Sequence, residues 1–182
     1  MSDNRGHSQN KAEDAYLKSM FYAQLVEHVF VSEVLQEVWY AFGQTVEVLR
    51  SEIDSSGHDV VFDCNGIVRH VQLKTSKGGA KASFQKVNTA LEKKPGGCVV
   101  WAERAEVQHR LELSYRFFGG DPGRPISLDG LEVAKHTKRD AEGVQGLRPA
   151  IRVVPKNLFG DIIDIRELVE KLFGKNALAS GS

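Results

Sequence analysis

Three polar side chains of different chemistry interrupt an apolar stretch at residues 55–76. Asp59 offers a carboxylate, Gln72 an amide and Lys74 an amine, and His70 lies close by in the sequence. Taking charged groups out of water is costly, so they are rarely placed among apolar strand residues without a reason. The residue types therefore indicate a polar site, provided that the fold brings them together.

A tight β-hairpin would bring them together. The Asn-Gly pair at 65–66 is typical of a type I′ turn, in which both central residues have positive φ. If the residues that flank this turn pair directly, Asp59 lies opposite Gln72, and Lys74 lies diagonally from Asp59 on the same face. The other face of the same two strands is apolar and consists of Val60, Phe62, Val71 and Leu73.

This arrangement resembles the PD-(D/E)XK nuclease superfamily. The matching elements are Gly57-His58-Asp59 at the start of one strand, Gln72-Leu73-Lys74 on its partner, and Glu33 in the preceding helix. The resemblance spans roughly residues 30–103. It implies an α/β fold with a restriction-endonuclease-like core in α-β-β-β-α-β order, built on a central mixed sheet flanked by helices.

The resemblance also implies a role for each residue in the hydrolysis of phosphodiester bonds. Asp59 would be the central ligand of a Mg²⁺ or Mn²⁺ ion, with Gln72 and Glu33 as further ligands. Gln72 would offer its amide oxygen or orient a metal-bound water, and Lys74 would position the nucleophile and offset charge at the phosphate. A divalent cation lowers the pKa of bound water and acts as a Lewis acid.

Two positions depart from the superfamily pattern, and one assignment stays open. His58 stands where proline is usual, and Gln72 stands where glutamate is usual, which removes one negative charge from the metal site. Glu27 competes with Glu33 as the helical carboxylate, and Asp54 could add a carboxylate at the mouth of the cleft. We therefore expect a Mg²⁺-dependent deoxyribonuclease, or alternatively an inactive protein of this fold that binds nucleic acid or another protein.

DNA is the expected partner, and a homodimer is plausible. Lys77, Lys81 and Lys86 follow the Gln72-Leu73-Lys74 segment and could track a phosphate backbone, with His70 as a further phosphate contact. The net charge of the chain is zero, with 24 basic and 24 acidic residues, so any such surface must be a local one.

Apolar periodicity predicts the elements that position these residues. We expect a helix over 13–42 that breaks near Ser32, a strand over 45–51, the hairpin, and a helix over 83–93. Strands over 98–103, 110–118 and 150–155 and a helix over 161–174 complete a single domain, residues 13–174. Residues 1–12 and 175–182 are expected to be disordered tails.

Composition is ordinary for a globular protein, with 41% hydrophobic and 26% charged residues among 182. Cys64 and Cys98 both lie in apolar runs, which predicts buried free thiols and a reducing, cytoplasmic setting. The polar N-terminal segment does not resemble a signal peptide, and no apolar run is long enough to span a bilayer. The sequence also contains no P-loop, dinucleotide fingerprint, nucleophile elbow or zinc pattern.

Overall fold

A computed structural model describes residues 4–50, 57–136 and 145–179, with side chains from Tyr16 onward. The helices are α1 (Asn4–Phe42), α2 (Ile165–Phe173) and α3 (Lys175–Ala179). The strands are β1 (Glu47–Arg50), β2 (Val60–Cys64), β3 (Ile67–Lys77), β4 (Phe84–Asn88), β5 (Gly97–Val107), β6 (Arg110–Gly119), β7 (Val133–Lys135) and β8 (Leu147–Pro155). Short 3₁₀ turns follow β4 and β8, at Thr89–Lys93 and Lys156–Phe159.

The central sheet has five strands in the order β1-β2-β3-β5-β6. Its neighbours are antiparallel except β3 and β5, which run parallel from the His70–Gly97 pair to the Lys77–Arg104 pair. A parallel pair needs a crossover connection, and here the crossover contains β4 and its 3₁₀ turn. The expected α/β class with a mixed central sheet is confirmed.

The helices pack on one face of this sheet. Val26, Phe30, Val34 and Val38 recur every four residues on α1 and are fully buried. The Asp164 side chain caps α2 by accepting a hydrogen bond from the Glu167 N–H at 2.8 Å. Buried residues of α2 and of the sheet complete this core: Val60, Phe62, Val71, Val100, Tyr115, Leu168, Val169, Leu172 and Phe173.

The other face is covered by a second sheet instead of a helix. Strands β4, β8 and β7 form a three-stranded antiparallel sheet, and Val87, Leu91 and Val154 pack with Val99 and Trp101 of the central sheet. The expectation of helices on both faces is therefore wrong. So is the helix expected at 83–93, because β4 forms there and pairs with β8 more than sixty residues later in the chain.

Helix α1 is continuous through Ser32, so the expected break is wrong. The apolar pattern changes side because the helix carries two apolar faces. One face packs on the sheet, and the other, which includes Phe21 and Trp39, is exposed. The helix begins at Asn4, so residues 4–12 continue it where we expected a disordered tail.

At the other end of the chain, residues 175–179 form α3, and its Leu178 is buried against the helical core. Cys64 and Cys98 are buried and unpaired, as expected. Across the described ranges, no helix is both long enough and apolar enough to cross a membrane.

Candidate active site

The register of the β2–β3 hairpin agrees with the expectation from its turn. Asn65 and Gly66 have φ of 51° and 78°, as a type I′ turn requires, and the paired residues run from Cys64–Ile67 to Val60–Val71. One step beyond the last pair, Asp59 lies beside Gln72. The turn is also tied to the rest of the fold, because the Asn65 side chain donates to Gln44 Oε1 at 3.0 Å.

Asp59 is held at the point where β2 begins. Its backbone N–H donates to the Val71 carbonyl at 2.9 Å, and its Oδ2 accepts from the Leu73 N–H at 2.6 Å. The carboxylate thus takes the place of a backbone carbonyl that β2 would otherwise present to β3. A half-buried carboxylate anchored in this way has a fixed position beside the side chain of residue 72.

Gln72 is buried, with 7% of its surface exposed. Its Oε1 accepts a hydrogen bond from the Asn88 N–H at 3.3 Å, which links β3 to the end of β4. Gly57 packs into the same corner with φ of 73°, where a Cβ atom would lie 3.2 Å from the Leu91 nitrogen. The Gly57-His58-Asp59 segment therefore needs glycine at its first position both for backbone conformation and for space.

Lys74 lies on the face of β3 that carries Gln72. Its direct neighbour on β5 is Trp101, whose Nε1 donates to Ser76 Oγ at 2.8 Å on that same face. Lys74 is half-buried. Gln72 and Lys74 thus share one face of β3, and the Asp59 carboxylate is hydrogen-bonded to the backbone of Leu73 between them.

Glu33 lies across the sheet from this group. Its Oε2 accepts from the Tyr115 hydroxyl at 2.6 Å, and Tyr115 belongs to the core under the helices. Burial raises the pKa of Glu33; the hydrogen bond from Tyr115 opposes that effect, and nearby Glu112 adds to it. Glu33 therefore does not join Gln72 and Lys74.

The alternative helical carboxylate, Glu27, forms an ion pair with Arg50 of the edge strand β1 at 3.4 Å, again on the helical side. Helical spacing alone did not reveal which face of the sheet either glutamate would meet. Asp54 lies outside the described residues.

His70 shares the face of Gln72 and lies at the start of the parallel pairing. Its Nδ1 is 2.8 Å from the Pro95 carbonyl oxygen, which can only accept, so this nitrogen carries the proton. Its ring packs edge-on against His58, with centroids 4.9 Å apart. Burial lowers the pKa of His70, and electrostatic interaction with nearby His58 and Lys94 lowers it further. The hydrogen bond to Pro95 opposes this shift but does not cancel it, so the ring is neutral at pH 7.

The three lysines proposed to track a phosphate backbone do not share one surface. Lys77 lines a cavity of about 480 Å³ together with Tyr22 of α1, on the helical side. Lys81 is exposed in the loop after β3, and Lys86 is half-buried on β4. The three lysines thus lie on three different parts of the fold: the end of β3, the loop that follows it, and β4.

Glu103 is a charged residue of this face that the sequence analysis missed. It is 7% exposed and neighbours Ser76, and its Oε1 lies 2.9 Å from Arg116 Nε and 3.1 Å from Lys156 Nζ. Burial alone would raise the pKa of Glu103, but these two hydrogen-bonded cations lower it below its usual range. Alternation along β5 from Trp101 would have placed Glu103 on this face.

The donor set determines what this face can hold. Within the described residues, no three His, Cys, Asp or Glu side chains form a group suited to a metal ion. Asp59 and Gln72 instead offer one carboxylate and one amide oxygen, which are hard ligands. Mg²⁺ keeps several waters and accepts so small a protein set. The two donors are therefore of the chemical kind that Mg²⁺ binds.

Comparison of the chain with protein-family models, with curated protein sequences and with solved structures finds no significant match.

Proposed function

We propose that this chain is a metal-dependent endonuclease domain of the PD-(D/E)XK type, with a restriction-endonuclease-like core, that hydrolyses phosphodiester bonds in DNA. One observation carries the proposal: the Asp59 carboxylate is fixed on the Leu73 N–H, next to Gln72 and on the strand that presents Lys74. The helix–hairpin–parallel-strand order α1-β1-β2-β3-β5 supports it.

The side chains divide the chemistry between them. Asp59 and Gln72 supply the oxygens that hold the cation, and the cation supplies an activated water and neutralises charge. Lys74 is half-buried beside Trp101, where its ammonium can offset charge on a scissile phosphate more strongly than it could in open water. Lys81 and Lys86 would contact the flanking phosphates. Lys77 lies on the helical side, and neutral His70, with its proton on Nδ1, has no N–H left to donate to a phosphate.

The test is plasmid nicking in the presence of Mg²⁺ or Mn²⁺. We expect Asp59→Asn to reduce nicking at least a hundredfold, because it removes the charge that binds the cation yet keeps an oxygen to accept from Leu73 N–H. Lys74→Met should have an effect of similar size on the rate.

Asp63→Asn is the matched control, since Asp63 lies in the same hairpin and accepts a turn hydrogen bond from Gly66 N–H at 3.0 Å. Nicking that persists in Asp59→Asn at the level of Asp63→Asn would refute this assignment of the site.

A second candidate is a domain of the same fold that binds nucleic acid or protein without cutting it. The observation that favours it is the engagement of Gln72 Oε1 by the Asn88 N–H, together with the position of Glu33 across the sheet. This alternative predicts that Mg²⁺ and Mn²⁺ leave the melting temperature unchanged. A rise in melting temperature that Asp59→Asn abolishes would exclude it.

A further inference from the structure

Helix α1 carries an exposed apolar stripe on the side away from the sheet. Phe21 is 67% exposed, Leu17 56% and Trp39 55%, and Leu25 and Leu35 are each 36% exposed. At about 100° per residue these side chains fall within one quadrant of the helix. The buried Val26 and Phe30 point in the opposite direction, so the stripe is a second apolar face and not part of the core.

Positions along this stripe are spaced symmetrically about a central residue. Seven of its exposed members are related by this symmetry: Leu17, Phe21, Gln24, His28, Ser32, Leu35 and Trp39. Leu25 has no exposed counterpart, because Val31 is buried. The spacing is four, three, four, then four, three, four, with His28 at the centre. Both ends are apolar and the middle is polar, so a second copy of the helix that runs antiparallel would match apolar to apolar and polar to polar.

The centre of the stripe can meet its own copy without like charges in contact. Arg50 Nη1 lies 2.8 Å from His28 Nε2, and because arginine can only donate, this ring nitrogen accepts and carries no proton. Arg50 is itself paired with Glu27 at 3.4 Å. The polar middle is therefore close to neutral.

The exposed apolar area of the stripe can be compared with the area that a dimer interface buries. A buried aromatic side chain removes about 150–250 Å² from water, so Phe21 and Trp39 at their observed exposures offer on the order of 100 Å² each. With the three leucines, the stripe offers on the order of 400 Å². The largest apolar patch of a monomer is typically about 300–600 Å², and a standard interface buries about 800 Å² per partner. The stripe would therefore form about half of an interface, and its symmetry, more than its area, favours a second copy.

We propose that α1 is the dimerisation element of this protein and that a second copy packs on the stripe in antiparallel orientation. Phe21 of one copy then packs on Leu35 of the other, and Leu17 packs on Trp39. The two-fold axis passes beside His28. This inference is independent of the nuclease proposal, because none of the stripe residues belongs to the Asp59 group.

Sedimentation equilibrium of the intact chain tests the oligomeric state. We expect a dimer for the wild type and a monomer for Phe21→Glu and for Trp39→Glu, with at least a hundredfold weaker association. Tyr40→Glu is the matched control, because Tyr40 is 81% exposed on the same helix but lies off the stripe, and its dimer should persist. A monomeric wild type, or a dimer that withstands both stripe substitutions, would overturn the proposal.

Cysteine cross-linking tests the orientation. In the antiparallel pair, Phe21→Cys/Leu35→Cys forms a disulfide between copies, whereas Phe21→Cys alone does not. The native Cys64 and Cys98 are buried and do not compete. Efficient cross-linking of the single variant would show parallel pairing and refute the register. Far-UV circular dichroism confirms that each variant is folded before it is scored.

Discussion

The amide at position 72 sets the charge that the candidate site presents to a cation. Asp59 contributes one negative charge and Gln72 none, and the Asp59 carboxylate is hydrogen-bonded to the N–H of Leu73, the residue after Gln72. Two unit charges about 4 Å apart interact by roughly 4 kcal/mol at an effective dielectric constant of about 20. A carboxylate in place of the amide at position 72 would therefore have a large effect on metal affinity.

We predict that Gln72→Glu binds Mg²⁺ at least tenfold more tightly than the wild type. The Asn88 N–H can still donate to a glutamate oxygen, so the β3–β4 corner should survive. Titration calorimetry measures the affinity directly. Gln36→Glu, the same charge change on an exposed turn of α1, is the control. Equal affinities in the two variants would mean that residue 72 does not face the cation.

Glu103 gives a pH-dependent contribution to stability. Its pKa in the folded chain is lowered, because Arg116 and Lys156 outweigh the effect of burial. A lowered carboxyl pKa stabilises the fold above the ordinary value near 4.5, and this stabilisation is lost as the pH falls through the folded pKa.

Glu103→Gln should therefore lower the free energy of unfolding at pH 7 by on the order of 3 kcal/mol, since it leaves two cations without their partner. The difference from the wild type should shrink below about pH 4.5. Urea unfolding at a series of pH values measures it, with Glu47→Gln on the exposed edge strand as the control. A difference that stays constant with pH would contradict the ion-pair explanation.

Among the elements, those decided by local sequence were predicted well. The Asn65-Gly66 turn fixes its own register, because few residues adopt two successive positive φ angles. A continuous run of apolar residues predicts β5, and alternating apolar residues predict β6. The register from Cys64–Ile67 to Val60–Val71 followed from the turn alone, without any information from the rest of the fold.

The predictions that were wrong concern segments whose structure depends on residues distant in the sequence. Val87 and Leu91 have the spacing of a helix, yet β8 pairs with this segment and holds Val87 in a strand. The prediction that Glu33 joins the Asp59 group was wrong for a similar reason. The spacing of residues along α1 does not indicate which face of the sheet the helix covers. Glu33 meets Tyr115, more than eighty residues away.

The hairpin turn provides a test at the level of one element. Gly66 has φ of 78° and nothing within 4 Å of the position of an added Cβ, so any cost of a side chain comes from the backbone alone. Gly66→Ala should lower the free energy of unfolding by about 1–2 kcal/mol. Thermal unfolding checks it against Gly146→Ala, where φ is not positive. Equal stabilities would mean that the turn adopts another type.

In the described residues, the central five-stranded sheet is covered by helices on one face and by the small β4-β8-β7 sheet on the other. The polar group at Asp59, Gln72 and Lys74 belongs to the side of the small sheet, and the exposed stripe of α1 belongs to the opposite side. A dimer built on that stripe would leave both copies of the polar group facing outward, away from the two-fold axis. Each copy could then engage its own stretch of nucleic acid.

The hydrogen bond from Leu73 N–H to Asp59 also gives the site a spectroscopic reporter. An amide proton is sensitive to the charge of its acceptor, so the Leu73 resonance should move whenever a cation draws on the Asp59 carboxylate. It would do so in the wild-type chain, without a substrate and without turnover. Occupancy of the proposed metal site could therefore be measured separately from the proposed catalysis, from a single backbone signal in the centre of the sheet.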